Sequence, residues 1–238
     1  MKNLKNNKNY DWNYEANQIV KILNEIYNKS KNLSNLIIIL RHSHRINTKD
    51  PNILRNLGLT KKGKIFALNF GKKLPNFNKI KILYDNSIRC EETARMLYTG
   101  AKSSNLNAEL IGYFNSNILL SPDNNLLTKE PIEKGLDLFL EKYFSNNYPV
   151  NIIRPFKEYC SEIKSLFNNL IKNSINTTFI IITHDIFIKI FLKCLFNNYY
   201  NEYYCPSFLG GFGFSIEYNN KFKLIFSGTQ KFLNNFQY

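Results

Sequence analysis

Two arginines and two histidines directly follow an apolar run near the start of the chain. The run Leu36–Leu40 is rich in isoleucine, as in a strand buried on both faces, and leads into Arg41-His42-Ser43-His44-Arg45. Guanidinium groups bind phosphate oxygens through planar pairs of N–H donors, and a neutral imidazole can act as a nucleophile. The cluster therefore predicts an oxyanion site, with phosphate as the first choice. From this stretch alone, a basic surface loop is the alternative.

Two later stretches place polar residues in a similar way. Arg89 follows the apolar segment Ile80–Tyr84, and His184-Asp185 follow the apolar segment Thr177–Ile182. Both lie where a helix is predicted to begin, and a helix N-terminus favours anions. Arg89 is unfavourable there unless an anion binds nearby. If the three strands are parallel neighbours, the three clusters meet at one edge of the sheet.

Apolar periodicity predicts helices and strands that alternate along the chain. The predicted helices are Tyr14–Tyr27, Thr60 (as N-cap) to Leu74, Arg89–Gly100, Glu133–Phe144, Pro155–Lys172 and Ile186–Phe196. The predicted strands are Leu36–Leu40, Ile80–Tyr84, Asn107–Ile111, Thr177–Ile182, Phe212–Tyr218 and Lys221–Phe226, with a hairpin turn at Asn219-Asn220. Gly100 is predicted to end its helix.

This order predicts an α/β protein. We expect a three-layer α/β/α sandwich with a mostly parallel, doubly wound sheet and an antiparallel edge. Residues 1–34 are predicted to form a tail and an amphipathic helix, and residues 35–238 a single domain. Weak periodicity and three prolines at about 113–150 predict an irregular insertion, with one helix in it, that could cover a site.

Composition limits the class of protein. The formal net charge of +14 favours anionic partners, but the lysines are scattered, so charge alone does not predict nucleic-acid binding. We expect no membrane partner, since no apolar run approaches the roughly 20 residues of a membrane helix, and Met1–Tyr14 lacks the apolar core of a secretory signal. Cys90, Cys160, Cys194 and Cys205 lack metal-ligand spacing. We interpret them as reduced thiols in a cytoplasmic protein.

Four motifs occur in a fixed order. They are Arg41-His42, the helix start Leu59-Thr60-x-x-Gly63, the stretch Ser87-x-Arg89-Cys90-x-x-Thr93-Ala94, and Thr183-His184-Asp185. Together they resemble the histidine phosphatase superfamily, also called phosphoglycerate mutase-like, over roughly residues 36–196 and more weakly in the last strands. One departure is Ser43, where that family usually has a glycine that lets the backbone approach the phosphate.

The resemblance implies a metal-independent phosphomonoesterase without a cofactor, which acts on a small phosphorylated substrate through a phosphohistidine. It implies that His42 is the nucleophile. It also places four side chains around the phosphoryl oxygens: Arg41, Arg45, Arg89 and His184. Ser43 leaves a catalytically inactive phospholigand-binding or scaffold protein as an alternative. His44 and Cys90 are interpreted as an exposed loop residue and a core residue.

The resemblance also suggests a general acid. The pair His184-Asp185 is similar to the acid-phosphatase branch, in which this aspartic acid protonates the leaving alkoxide. Because aspartic acids are ordinarily ionised at neutral pH, we expect either an acidic optimum or a setting that favours the protonated acid. The branch closer to the mutases uses a glutamate further back, for which Glu109 is the nearest candidate and Asp123 a second. Phosphatase and phosphomutase activity both remain open, as does the oligomeric state.

Overall fold

A computed structural model describes residues 13–29, 35–46, 48, 50, 53, 56–114, 124–172, 174–217 and 221–232. Its strands are β1 (Leu36–Arg41), β2 (Lys79–Tyr84), β3 (Ala108–Tyr113), β4 (Thr177–Thr183), β5 (Gly211–Ile216), β6 (Phe222–Ser227) and β7 (Gln230–Lys231). Its helices are α1 (Tyr14–Lys29), α2 (Lys61–Lys72), α3 (Ile88–Ser103), α4 (Asn124–Lys134), α5 (Leu136–Phe144), α6 (Phe156–Lys172) and α7 (Asp185–Leu195).

All seven described strands join one sheet in the order β3-β2-β4-β1-β5-β6-β7. The first four of this order are parallel, whereas β5, β6 and β7 pair antiparallel. Arg41 lies opposite Thr183, and Tyr84 lies opposite Ile182. The carboxyl ends of β1, β2 and β4 therefore reach the same edge, as predicted.

The central strand β1 is buried on both faces because its side chains alternate between two cores. Ile37 and Ile39 pack in a core that contains residues of α5, α6 and α7. Leu36, Ile38 and Leu40 pack in a second core, with residues of α1, α2 and α3. Helices thus cover both faces of the sheet, and the predicted three-layer sandwich with an antiparallel edge is confirmed.

The predicted end of α3 at Gly100 was wrong. The helix continues to Ser103, and Gly100 is where α3 crosses α2. A Cβ atom on Gly100 would lie 2.0 Å from Leu68 O, and one on Gly71 would lie 2.1 Å from Leu97 O. These glycines are required for close helix packing rather than for a turn.

The described part of the predicted insertion is more helical than expected. It contains both α4 and α5, separated only by Gly135 with φ of 93°, although Pro131 lies within α4. The largely polar sequence of α4 explains why apolar periodicity missed it. Residues 115–123, including Asp123, lie outside the described residues, as do residues 1–12 and the predicted turn at Asn219-Asn220. The domain division at residue 34 stays a prediction, although α1 packs into the second core.

The interpretation of all four cysteines as free thiols was also wrong. Cys160 of α6 and Cys194 of α7 form a disulfide with a Cα–Cα distance of 5.2 Å, whereas Cys90 and Cys205 are free. The two paired cysteines are 34 positions apart, and only the packing of α6 against α7 brings them together. Within the described part of the chain, no helix has the length and apolar character needed to cross a membrane.

Candidate active site

The imidazoles of His42 and His184 lie next to each other at the carboxyl edge of the sheet. Their ring centroids are 5.4 Å apart, with an interplanar angle of 68°. His42 directly follows β1, and its backbone N–H donates to Thr183 O at 2.9 Å, which ties the end of β1 to the end of β4. His184 is the N-cap of α7. Two predicted site residues 142 positions apart are thus brought together by the pairing of their strands.

The ring of His42 has one defined tautomer. Its Nδ1 atom lies 2.8 Å from Ser43 O. Because a carbonyl oxygen only accepts, Nδ1 must carry the proton when the ring is neutral. The lone pair is then on Nε2, the nitrogen a nucleophilic imidazole needs free.

Both imidazoles are held in the neutral form. Burial, followed by the neighbouring His184, Arg41 and Arg89, lowers the pKa of His42 well below its usual value. Burial and the guanidinium groups of Arg89, Arg41 and Arg45 lower the pKa of His184 in the same way. Only 2% of the surface of His42 is exposed. A neutral His42 is the nucleophilic form, and a neutral His184 can still donate one N–H.

Three arginines lie close enough to the histidines for their charges to act on one or both rings. They come from β1 (Arg41), the segment after it (Arg45) and the first turn of α3 (Arg89). Burial and the charges of Arg89 and Arg41 lower the pKa of Arg45 to about 10, and burial also lowers the pKa of Arg89. Mutual repulsion between these partly buried guanidinium groups is relieved by an anion bound among them.

Arg41 is held from three directions. Its Nη1 donates to Pro206 O at 2.9 Å, and its Nη2 lies 2.8 Å from Asp185 Oδ2. Its Cζ lies 4.8 Å from the centroid of the Phe208 ring. These contacts orient the guanidinium group, while its Nε is buried without a hydrogen-bond partner among the described residues. Neither Pro206 nor Phe208 was identified from the sequence, because neither belongs to a motif.

Ser43, the departure from the family pattern, points its hydroxyl at the scaffold. Its Oγ donates to Gly63 O at 2.8 Å, and its backbone N–H donates to Thr93 Oγ1 at 3.0 Å. Thr93 Oγ1 in turn donates to Arg89 O at 2.7 Å. The segment after β1 is thereby bound to the first turn of α2 and the second turn of α3.

The start of α2 fits closely against the same segment. Thr60 Oγ1 accepts from Gly63 N and caps the helix, as predicted. A Cβ atom on Gly63 would lie 2.2 Å from His44 O, so glycine is required there. His44 is not the exposed loop residue that was predicted: its Nδ1 lies 2.9 Å from Thr60 Oγ1, and its ring contacts Phe208 at 5.1 Å.

The cysteine beside Arg89 is a core residue, as predicted. Cys90 is fully buried, and its Sγ lies 3.7 Å from His184 Nε2. Burial and the carboxylate of Asp85 raise the pKa of its thiol to about 12. The thiol is therefore protonated at neutral pH and packs against the imidazole instead of acting as a nucleophile.

Two of the candidate general acids, Asp185 and Glu109, are among the described residues. Asp185 lies in the cluster of histidines and arginines, and Glu109 does not. Asp185 begins α7 and contacts Arg41. Glu109 is the second residue of β3, pairs in register with Lys81, and forms an ion pair with Lys79 at 3.0 Å. It precedes the carboxyl end of its strand by four residues, or roughly 13 Å at the usual strand rise.

A cavity of about 910 Å³ opens beside the cluster and shares Arg41 with it. Its walls come from the ends of α1 and β6 and from the segment after α7, with Tyr199, Tyr203 and Tyr204. The two imidazoles are not part of its lining. Among the described residues, no group of three or more histidine, cysteine and acidic side chains is arranged to hold a metal ion.

No protein-family model matches this sequence, and no curated protein sequence matches it. Solved structures do match. Phosphoglycerate mutase from Bacillus anthracis str. Sterne aligns with a TM-score of 0.54 and 13% identity, over 84% of this chain and 95% of that chain. A mycobacterial glucosyl-3-phosphoglycerate phosphatase in complex with VO3 aligns with a TM-score of 0.56 and 13% identity, over 82% and 99%.

A third similar structure is phosphoserine phosphatase from Entamoeba histolytica in complex with 3-phosphoglyceric acid. It has a TM-score of 0.51 and 16% identity, over 82% of this chain and 98% of that chain. At such identities the likeness establishes the fold. The chain has the phosphoglycerate mutase-like α/β fold of histidine phosphatases, which confirms the fold implied by the four motifs.

Proposed function

We propose that this chain, with its histidine phosphatase fold, hydrolyses a phosphate monoester of a small molecule without a metal ion or cofactor. The reaction would pass through a phosphohistidine on His42. The observation that carries the proposal is the meeting of two neutral imidazoles, buried His42 and half-buried His184, with three guanidinium groups at one sheet edge. Phosphatases and a mutase among the similar structures support the same class of chemistry.

In the first step, the lone pair on Nε2 of His42 forms a bond to phosphorus as the bond to the leaving oxygen breaks. Negative charge is spread over three phosphoryl oxygens in the transition state. Arg41, Arg45 and Arg89 would bind these oxygens, and His184 would donate its N–H to one of them. Because the guanidinium groups are already partly buried near one another, little reorganisation is needed when the charge shifts.

The leaving alkoxide needs a proton, and Asp185 is the acid that lies in the cluster. After it has donated, its carboxylate would take a proton from the water that attacks the phosphohistidine. Inorganic phosphate then leaves, and both His42 and Asp185 return to their starting states. Because only a protonated carboxyl donates, and aspartic acids are ordinarily ionised at neutral pH, we expect turnover of alkyl phosphates to increase as the pH falls.

The setting of Ser43 argues against the inactive alternative. A serine that pointed into the phosphate position would occupy space that glycine leaves open. Here its hydroxyl is bonded to Gly63 O, on the scaffold side. A phosphomutase would differ only in the acceptor, a second substrate hydroxyl instead of water, and product analysis would separate the two.

A small phosphorylated molecule remains the proposed partner, and neither nucleic acid nor a membrane is part of the proposal. A cytoplasmic location stays a prediction from the sequence. That prediction rested in part on four reduced thiols. The Cys160–Cys194 disulfide removes this support, because disulfides persist mainly in oxidising compartments.

The proposal is tested with purified protein and p-nitrophenyl phosphate, from acidic to mildly basic pH, with and without EDTA. Turnover should survive EDTA, and His42→Ala should lower it by about a thousandfold or more, as removal of a nucleophile does. His44→Gln is the matched control, since this imidazole contacts Thr60 and Phe208 and should be dispensable for chemistry. Vanadate binding without turnover of any phosphate ester would instead favour the inactive scaffold.

A further inference from the structure

The segment that follows α7 and runs into the start of β5 contacts side chains of the catalytic cluster. We refer to residues 204–211 as the 204–211 loop. Pro206 O accepts from the guanidinium group of Arg41, and the Phe208 ring lies 5.8 Å from the ring of His42. Phe208 also faces the guanidinium group of Arg41. A shift of this loop would therefore move both groups.

The backbone of Arg41 is also hydrogen-bonded to the backbone of the 204–211 loop. Arg41 N donates to Gly210 O at 2.8 Å, and Leu209 N donates to Arg41 O at 3.1 Å. Between them, Leu209 has a φ of 59°, in the left-handed region, which is sterically unfavourable for a residue with a side chain. Such a conformation persists only where surrounding contacts hold it.

Those contacts include one carboxylate from a distant part of the chain. Glu15, in the first turn of α1, accepts from Ser207 N at 2.8 Å through Oε2. Its Oε1 accepts from Gly211 N at 3.0 Å and from the hydroxyl of Tyr204 at 2.5 Å. Three donors spread along the 204–211 loop therefore meet on one side chain.

The loop is shaped to admit this carboxylate. A Cβ atom on Gly210 would lie 2.3 Å from Cδ of Glu15, so a side chain at position 210 and the observed carboxylate exclude each other. A glutamine side chain at position 15 would fit the same space but could not form the same hydrogen bonds. In Glu15→Gln, one carboxylate oxygen becomes an NH2 group, which cannot accept from the N–H or O–H donors that face it.

We propose that Glu15 is a positioning residue of the active site, which holds the 204–211 loop so that Arg41 and His42 are placed for phosphate binding and transfer. The inference rests on the proposed function, since it adds a residue to the same site. It makes α1, which precedes β1, part of the catalytic architecture. Glu15 reaches the reacting groups only through Pro206, Phe208 and the loop backbone.

The first test compares Glu15→Gln with Glu25→Gln, a matched control. Glu25 also lies on α1, ten residues or roughly 15 Å along the helix from Glu15, and pairs with Lys231. Glu15→Gln should lower kcat/KM by roughly ten- to a hundredfold and weaken vanadate binding, as small displacements of reacting groups do. Glu25→Gln should change neither kcat/KM nor vanadate binding, even if it lowers the thermal unfolding midpoint as much as Glu15→Gln does.

Titration of the His42 ring by NMR gives a readout that a merely structural role would not move. Burial and the charge of Arg41 both contribute to its lowered pKa. In Glu15→Gln this pKa should rise towards its ordinary value, whereas in Glu25→Gln it should not. An unchanged titration and unchanged vanadate affinity in Glu15→Gln would overturn the proposal. These two readouts need no turnover, so they still decide the role of Glu15 if the wild-type protein proves inactive.

Gly210→Ala displaces the carboxylate without removing it, and serves if Glu15 variants fold poorly. It should reproduce the losses of Glu15→Gln. In a Glu15→Ala background the added methyl group has space, so Gly210→Ala should have little further effect there. Additive losses in the double variant would contradict a shared mechanism and overturn the proposal.

Discussion

Arg41 and Asp185 form an ion pair, with Nη2 of Arg41 2.8 Å from Oδ2 of Asp185. Arg41 ends β1 and Asp185 begins α7, so the pair joins the strand that precedes His42 to the helix that follows β4. Arg41, proposed to bind the phosphoryl group, and Asp185, the proposed acid, are therefore neighbours. Asp185 competes with the phosphoryl group for an N–H donor of Arg41.

This pairing leads to a prediction for Asp185→Asn. Turnover of an alkyl phosphate should fall by about 10²–10⁴-fold, as expected for loss of a general acid, with a much smaller loss for p-nitrophenyl phosphate, whose leaving group hardly needs a proton. Vanadate binding should not weaken, because Arg41 loses a competing carboxylate. Steady-state kinetics and a binding titration measure these effects.

Asp137→Asn is the control for this substitution. Asp137 also forms an ion pair, with Lys189 at 2.6 Å, but its side chain is 81% exposed and lies on α5. Replacement of Asp137 should leave the turnover of both substrates unchanged. Equal losses on the two substrates in Asp185→Asn would remove Asp185 from the acid role.

Ser43→Ala should separate the structural role of the hydroxyl from catalysis. It removes the hydrogen bond to Gly63 O, which should lower the free energy of unfolding by about 0.5–1.5 kcal/mol. Turnover should change less than about threefold, since the hydroxyl faces away from the phosphate position. Urea unfolding and kinetics measure the two. A large gain in turnover for Ser43→Gly would show instead that the serine impairs the site.

The lowered pKa values of His42 and His184 predict a loss of stability in acid. Because folding lowers the pKa of His42 and of His184, the unfolded chain binds more protons between the folded pKa values and about 6.5. The stabilising contribution is complete above about pH 6.5 and is lost as the pH falls. At about pH 5.5 the loss should reach up to about 1.4 kcal/mol for each ring.

The double variant His42→Gln/His184→Gln isolates this contribution from that of the carboxyl groups. Its free energy of unfolding, measured in urea at about pH 7.5 and about pH 5.5, should fall less than that of the wild-type protein. The same pH dependence in both proteins would mean that the rings are not held neutral by the fold.

The Cys160–Cys194 disulfide predicts two reactive thiols per chain, from Cys90 and Cys205, when the protein is denatured without a reductant. Alkylation followed by mass spectrometry counts them. Replacing both paired cysteines by serine should lower the free energy of unfolding by about 3–4 kcal/mol, the loop-closure term for 34 residues. Uptake of four alkyl groups by protein kept under oxidising conditions would contradict the pairing.

The sequence by itself determined the local elements and the order of the chemical groups. The isoleucine run of β1, the cap at Thr60 and the polar ends of β1 and β4 all depend on neighbours within a few residues, so local patterns predict them. Gly63 was found in the same way, although the reason for it, the nearby carbonyl of His44, appeared only in the fold.

Only the tertiary structure decided how those groups act together. Pro206 reaches Arg41 across 165 positions, Glu15 reaches Ser207 across 192, and Cys160 meets Cys194 between two helices. Such contacts depend on how a helix or loop is turned against the sheet. That orientation follows from the packing of the whole core rather than from nearby residues, and therefore leaves no periodic signal in the sequence.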